Sequence, residues 1–549
     1  MKYVIIGGVA GGMSAATRLR RLNENAEIIV LEKGPNVSFA NCGLPFYIGG
    51  EITNHDKLIV QTPEKLKNRY NLDVRVNSEV IAVNSELHQV TIMKDNQKYS
   101  LTYDKLIVSP GAKPFVPEIE GIESADNIFT LRNVPDVDKI YSFIENNNIK
   151  TATITGAGFI GLEVTESLVK RGIKVHIIEK VTQILPPLDE EMALFVEDEL
   201  IKNNIEIIKQ NSIKTFKNNG RLVVLEDNSK IESDMNIISI GVIPNTEFLN
   251  NSKIELGIRN SIKVNGQYQT NISDIFAIGD AIEVNQYTSG EDSLISLAGP
   301  ANRQGRMVAY IISGKNRINR GTIGTSIVRT FNLESASTGL NEKQLKKQHI
   351  EYKSLHVRGT NHASYYPDSK PILLKVMFNP SNGLIYGAQA IGEDGVDKRI
   401  DIISSAIYSK LSIEDLINFE LTYAPPFSSA KDIVNMAGYI GQNILEENTV
   451  PVYWHELRDL LANGELLIDV RSKSEFELGH IKGAINIPLD VLRDNLDKLN
   501  KSNKYIVSCL TGQRSYTAEQ ILIQHGFDVK NLDGAYNLYS EIKKEEIIK

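Results

Sequence analysis

Cysteine is nearly absent from this chain: 549 residues contain two, Cys42 and Cys509. Two thiols cannot build a disulfide framework, and each sits in its own motif, so both read as working thiols in a reducing, cytoplasmic setting. No strongly basic block occurs and the net charge is −8, so nothing supports nucleic-acid binding. No apolar run reaches the roughly 18 residues that a membrane helix needs. Residues Tyr3–Ala16 are small and apolar enough to imitate a signal-peptide core. Their glycines, however, fall at functional spacing, and a strand closed by an acid follows. What is present is the composition of an ordinary globular protein, 42% hydrophobic and 23% charged. The length allows roughly three to four domains at ~150 residues each.

The first organised unit is an apolar strand, Tyr3–Ile6, then Gly7-Gly8-Val9-Ala10-Gly11-Gly12, a helix pattern through Leu22, and a strand Glu27–Leu31 closed by Glu32. Strand, glycine turn, helix, strand and acid within about 30 residues is the pattern of a dinucleotide site. Gly7, Gly8 and Gly12 let the backbone approach a pyrophosphate at the helix N-terminus, where free N–H groups favour anions. Glu32 can accept hydrogen bonds from ribose hydroxyls. The second glycine of the usual pattern is Val9 here. The unit recurs in full: strand Thr151–Thr155, then Gly156-Ala157-Gly158-Phe159-Ile160-Gly161, a helix to Arg171 and a strand Lys174–Ile178 closed by Glu179. Gly156, Gly158, Gly161 and Glu179 therefore point to a second dinucleotide. Glu179 favours a free ribose 2′-hydroxyl, hence NADH; Lys180 beside it leaves NADPH open.

Between these units lies Ser38-Phe39-Ala40-Asn41-Cys42-Gly43-Leu44-Pro45. A lone thiol just beyond a nucleotide turn is a candidate redox centre, although free cysteine is often simply buried. Two further segments, Tyr103–Gly111 and Asn271–Asp280, read as strands ending in small-residue turns, with Ser109, Gly111 and Asp280 at their ends. In this order and spacing, residues 1–445 resemble the flavin- and nicotinamide-dependent disulfide reductases. The resemblance implies FAD at Gly7, Gly8, Gly12, Glu32, Ser109, Gly111 and Asp280, the aspartate meeting the ribityl chain. No second thiol lies near Cys42, so the chain is similar to the single-cysteine branch. Within that branch, the Ser38–Pro45 run, Tyr365-Tyr366-Pro367 and Leu421-Thr422-Tyr423-Ala424-Pro425-Pro426 resemble the coenzyme A disulfide reductases. The resemblance implies that Tyr365 and Tyr423 reach over the thiol of the partner subunit. It also implies that coenzyme A lies beside Arg18, Arg21, Ser38, Asn41 and Cys42. Arg18 and Arg21, three apart on one helical face, have a rationale in the phosphates of that ligand; Arg20 has the weaker claim.

After a short polar linker a new pattern begins. Glu465–Arg471 reads as a strand, and Lys504–Ser508 as another that runs into Cys509-Leu510-Thr511-Gly512-Gln513-Arg514-Ser515. A strand-to-helix loop can aim several N–H groups at one thiol and stabilise an anion there. The set, with Gly479-His480-Ile481 and Gly483–Pro488, resembles a single rhodanese domain. Cys-x4-Arg makes a six-residue loop suited to a persulfide sulfur; the related phosphatase loop, Cys-x5-Arg, is one residue longer.

The expected architecture is α/β. Two Rossmann-like dinucleotide-binding domains, FAD at 1–149 and 241–320 and NAD(P)H at 150–240, precede an α+β dimerisation domain at 321–445. A linker, 446–454, leads to an α/β rhodanese domain at 455–549. The expected function is FAD-dependent NAD(P)H reduction of coenzyme A disulfide, or of a coenzyme A persulfide or polysulfide, by a cytoplasmic homodimer. Cys42, Tyr365, Tyr423, Cys509 and Arg514 would be catalytic, and no metal, membrane or nucleic acid would take part. The rival readings are an NADH oxidase or peroxidase cycling Cys42 through sulfenic acid, and a redox sensor carrying a sulfur-carrier module.

Overall fold

The strand Lys2–Ile6 lies at the centre of a five-stranded parallel sheet, ordered Ile275–Ala277, Lys105–Val108, Lys2–Ile6, Glu27–Leu31, Asp73–Arg75. Val4, Ile5, Val30, Ile107 and Val108 are fully buried, as strands covered on both faces must be. A second parallel sheet is ordered Glu206–Ile208, Lys174–Ile178, Thr151–Thr155, Met235–Ile238, Ile128–Phe129. It recruits a strand upstream of residue 150. The chain thus leaves the first sheet, builds the second, and returns through Ile275–Ala277. That returning strand is shorter than the expected Asn271–Asp280, because Asn271 turns its side chain back to Glu255 N at 3.0 Å and Lys253 O at 2.8 Å.

The computed structural model describes residues 1–549 as two units: Met1–Leu185 with Leu200–Gly324, and Pro186–Glu199 with Thr325–Lys549. The first unit holds both parallel sheets. The second holds a five-stranded antiparallel sheet ordered Ser326–Thr330, Leu333–Gly339, Ile385–Gly392, Pro371–Phe378, Lys353–Thr360. It also holds a parallel sheet ordered Pro451–Val452, Asp528–Leu532, Lys504–Ser508, Leu466–Asp469, Ile485–Asn486.

The stretch 446–454 is not a free linker. Pro451–Val452 is an edge strand of the C-terminal sheet. Thr449 Oγ1 donates to the buried Glu519 carboxylate at 2.6 Å, and Val450 N reaches the same group at 3.3 Å. Polar residues that looked like solvated tether are the partners of an acid buried in the domain they lead into.

Lys375, on the strand Pro371–Phe378, points into the interior of the second unit and is 0% exposed. Its ammonium pairs with Asp189 at 2.9 Å, with Glu342 at 2.7 Å, and with Glu191. Asp189, Glu191 and Glu342 lie close enough together to suit a metal ion, but the Lys375 ammonium supplies the cation. Burial opposes the charge on Glu342, yet Lys375 holds it down at about 2. Removing one partner of a buried ion pair leaves the others uncompensated and costs about 3–5 kcal/mol. Lys375→Met should lower the stability of the second unit by that amount, read as a lower urea midpoint for its unfolding transition.

Candidate active sites

The first glycine turn is set by close approach. A Cβ on Gly12 would lie 1.9 Å from Gly7 O, and Gly7 itself has φ +97°. The helix Ala10–Leu22 that follows has no side-chain cap at Val9, so its first N–H groups stay available for an anion. Glu32 closes the turn: Oε2 accepts from Gly8 N and Oε1 from Gly34 N, both at 2.8 Å. Burial pushes the Glu32 carboxyl up, opposed by these N–H groups. Each oxygen keeps a lone pair for a ribose hydroxyl. Ser109 N is fastened to Ile6 O at 2.8 Å, and Gly111 adopts φ +67° beside the Arg132 guanidinium. Asp280 accepts from Arg132 Nη2 at 2.9 Å.

The second turn repeats the first. A Cβ on Gly161 would lie 2.1 Å from Gly156 O, and Gly156 has φ +97°. Glu179 Oε2 accepts from Ala157 N at 2.9 Å, and Oε1 from Val181 N at 3.2 Å. A Cβ on Gly158 would meet nothing within 4 Å, and the helix Phe159–Lys170 it precedes is again uncapped. Both turns therefore fit dinucleotides by shape and by free donors.

Cys42 sits in the short turn Asn41–Gly43, in a segment fastened to the first nucleotide turn and to the helix that starts at the second. Ser38 N donates to Gly8 O at 2.9 Å, which ties the thiol segment to the first glycine turn. Asn41 Nδ2 donates to Arg132 O at 2.6 Å. The helix Leu44–Ile48 then packs on Phe159–Lys170, where Ser167 Oγ donates to Pro45 O at 2.7 Å. Cys42 is surface-exposed as a residue, but its sulfur is partly walled in. That burial, with Glu163 and Asp280, pushes the thiol up, while Arg132 works against them.

The arginines near this site separate into two kinds. Arg20 is 4% exposed and donates to the backbone carbonyls of Tyr70, Asn71, Asn23 and Glu24, a structural role. Arg18 turns to Tyr310, its guanidinium 4.4 Å from the ring centroid and bonded to the hydroxyl. Arg306 and Arg317 lie 5.6 and 5.8 Å from the same ring. Arg21 is on the surface, with Nε on Thr17 O at 2.9 Å. The Arg18, Arg306 and Tyr310 cluster was hidden from sequence reasoning because Tyr310 lies 292 positions from Arg18. The available signal was Arg306 four residues before Tyr310 on one helix.

In the second unit, the Tyr365 and Tyr423 hydroxyls meet at 2.8 Å and both rings are exposed. The bond to Tyr423 pushes the Tyr365 phenol up. Cys509 is buried, at the end of the strand Lys504–Ser508, and Gly512 N donates to its sulfur at 3.1 Å. Gly512 makes this approach with φ +108°, and the helix Gln513–Gln524 starts after it without a side-chain cap. Arg514 pairs with Glu475 through two bonds of 2.7 Å. That pairing holds Glu475 at about 2, so Arg514 keeps its charged partner as pH falls through the usual carboxylate range, down to about 2.

Residues 1–305 match the description Pyridine nucleotide-disulphide oxidoreductase, residues 325–433 its dimerisation domain, and residues 454–542 the Rhodanese-like domain. The chain belongs to the pyridine nucleotide-disulphide oxidoreductases. Among curated relatives, the Coenzyme A disulfide reductase of Staphylococcus haemolyticus is 36% identical over 81% of this chain and 100% of its own length. Among solved structures, reduced Bacillus anthracis CoADR-RHD is 48% identical, covers 100% of this chain and 99% of its own, and superposes with a TM-score of 0.99. An NAD-dependent persulfide reductase from A. fulgidus is 32% identical over 98% of this chain and 100% of its own, with a TM-score of 0.92. The two-turn layout and the fused C-terminal domain are therefore those of a pyridine nucleotide-disulphide oxidoreductase with a rhodanese-like domain.

The open space at Gly158 leaves room for a pyrophosphate to approach the backbone. Gly158→Ala should leave folding and flavin content unchanged, because the new methyl strikes nothing in the protein. It should raise the KM for the pyridine nucleotide by about tenfold, equivalent to ~1.4 kcal/mol of binding. Steady-state kinetics against nucleotide concentration, with flavin absorbance as the control, checks this.

Proposed function

We propose that this chain is a homodimeric, FAD-dependent reductase of coenzyme A disulfide and of coenzyme A persulfide or polysulfide, using NADH in preference to NADPH. The observation that carries this reading is the solitary thiol. Cys42 stands at the edge of a dinucleotide cradle, and the remaining cysteine, Cys509, is buried in its own loop. No second thiol stands in the Cys42 segment to close an internal disulfide, which leaves Cys42 open to a mixed disulfide with a small thiol. Arginines without a carboxylate contact at Tyr310, Arg18 and Arg306 among them, fit the phosphates of coenzyme A. Ser38, Asn41 and Arg21 would flank its approach to Cys42.

Bound FAD and NADH would supply the electron pair, chemistry that side chains lack. The work of the chain is to hold and direct the thiol. The Cys42 thiolate attacks one sulfur of coenzyme A disulfide, a Cys42–coenzyme A disulfide forms, and the second coenzyme A leaves as a thiolate. With coenzyme A persulfide the leaving group is hydrosulfide. Two electrons then cleave the mixed disulfide and return Cys42 and coenzyme A as thiols. The exposed Tyr365 and Tyr423 hydroxyls, presented to a partner subunit, would donate protons to the leaving thiolate. The pocket of about 450 Å³ beside them, lined by Lys398, Thr422, Tyr423, Ala424 and Phe427, is a surface that a partner subunit would cover. Cys509, with its N–H donor at Gly512 and Arg514 at the end of the loop, would accept a sulfane sulfur as a persulfide.

Cys42→Ser should retain FAD and still be reduced by NADH, but lose turnover of coenzyme A disulfide and persulfide. Stopped-flow flavin reduction followed by reoxidation with substrate separates the two steps; reoxidation by coenzyme A disulfide at the wild-type rate would refute the mechanism. Replacing Tyr365 and Tyr423 together by Phe should lower kcat by about 10²-fold, the scale of general-acid assistance. Flavin reduction by NADH should be unaffected.

A further inference from the structure

The antiparallel sheet of the second unit ends in the strand Lys353–Thr360, whose outer edge has no neighbouring strand. Edge strands leave N–H and C=O groups that need partners. Here the C-terminal domain supplies them from side chains. Tyr453 Oη accepts from Ser354 N at 3.1 Å and donates to Ser354 O at 3.2 Å. Two residues on, His356 N donates to Asp533 Oδ1 at 2.9 Å, and its Nδ1 meets Asp533 Oδ2 at 2.6 Å. The other ring nitrogen, Nε2, meets Glu191 at 3.2 Å. His356 is 4% exposed. A carboxylate on each ring nitrogen requires both nitrogens to donate, so the ring is an imidazolium.

Asp533 leads directly into the Cys509 centre. Gly534 follows with φ +69° and starts the helix Ala535–Ile542. In its first turn Tyr536 N donates to Cys509 O at 2.9 Å, and Asn537 N donates to Leu510 O at 3.1 Å. The carbonyls of the thiol loop therefore hang on the residues just after Asp533.

We propose that His356 is a positioning residue for the Cys509 centre: through Asp533 it holds the turn that braces the Cys509–Gly512 loop. This rests on Cys509 being the sulfur acceptor, as proposed above. The groups facing His356 are Asp533 from the C-terminal domain, Glu191 from the helix Glu190–Lys202, and Lys375 from the adjacent strand, which itself carries Asp189 and Glu342. Burial works against the charge on His356, and so does Lys375. Asp533 and Glu191 outweigh them and push the ring up to about 9 from its ordinary 6.5. A raised value stabilises the folded state fully below pH 6.5, and that contribution is lost as pH rises through about 9. Above it, one ring nitrogen turns a lone pair towards a carboxylate and the clamp opens.

The test uses the full-length, flavin-loaded protein with thiosulfate as the sulfur donor. The Cys509 thiolate takes the sulfane sulfur, sulfite leaves, and intact mass reads the gain of one sulfur atom. Wild type should show a falling limb of the loading rate near pH 9. His356→Asn and Asp533→Asn should slow loading by about tenfold or more through misplacement of the loop and remove that limb. They should also speed hydrogen exchange at the Tyr536 and Asn537 amides, with Cys42-dependent disulfide turnover unchanged. Tyr453→Phe, which cuts the other edge contact, should load as wild type does. The positioning role is overturned if Asp533→Asn loads at the wild-type rate. It is overturned equally, with no variant needed, if wild-type loading shows no falling limb near pH 9. Loading that survives Cys509→Ser would overturn the reading of Cys509 and this inference with it.

Discussion

A missing side chain at two helix starts sets the position of nearly everything that matters in the first unit. At Gly12 and at Gly161 the helix backbone lies so near the preceding strand end that a Cβ would meet a carbonyl oxygen at 1.9 and 2.1 Å. Only glycine permits that approach, and it leaves an uncapped helix start open over the sheet. The acid on the next strand then bonds back to the turn, Glu32 to Gly8 and Glu179 to Ala157. Cys42 inherits its place from the same geometry: its segment hangs on Gly8 O, and the helix after it rests on the helix that contains Gly161.

The two thiols then face opposite problems. Cys42 is exposed as a residue, but burial of its sulfur, together with Glu163 and Asp280 and against Arg132, disfavours its thiolate. Protein groups alone do not activate it, consistent with a thiol whose chemistry depends on what binds beside it. Cys509 is buried, and its loop directs an N–H at the sulfur while Arg514, at the end of the loop, is paired with Glu475. That centre carries its own anion-stabilising groups.

Features that depend on local spacing were legible in the sequence. Both glycine turns, their acids, the strands Thr151–Thr155, Lys174–Ile178 and Lys504–Ser508, and the Cys-x4-Arg loop all follow from short-range pattern and stereochemistry. Features that depend on long-range placement were not. Lys375 finds Asp189, Glu191 and Glu342 from separate segments, and a lone lysine in a strand carries no sign of burial. Arg18 and Arg20 are two positions apart, yet one meets Tyr310 and the other is consumed by backbone carbonyls. Helix periodicity could separate their directions but not say which one leads to backbone carbonyls and which to an aromatic ring. The apparent linker misled for a related reason: Thr449 is polar because Glu519 is buried opposite it, not because water is.

We propose that a small thiol, coenzyme A, completes the redox pair with Cys42. Intact-mass analysis of the protein purified without reductant, before and after treatment with a phosphine reductant, tests it most directly. One coenzyme A per chain is expected, located by peptide mapping to Cys42 and removed by the phosphine. A Cys42 carrying only oxygen, or an unmodified Cys42 that coenzyme A disulfide fails to modify, would contradict it.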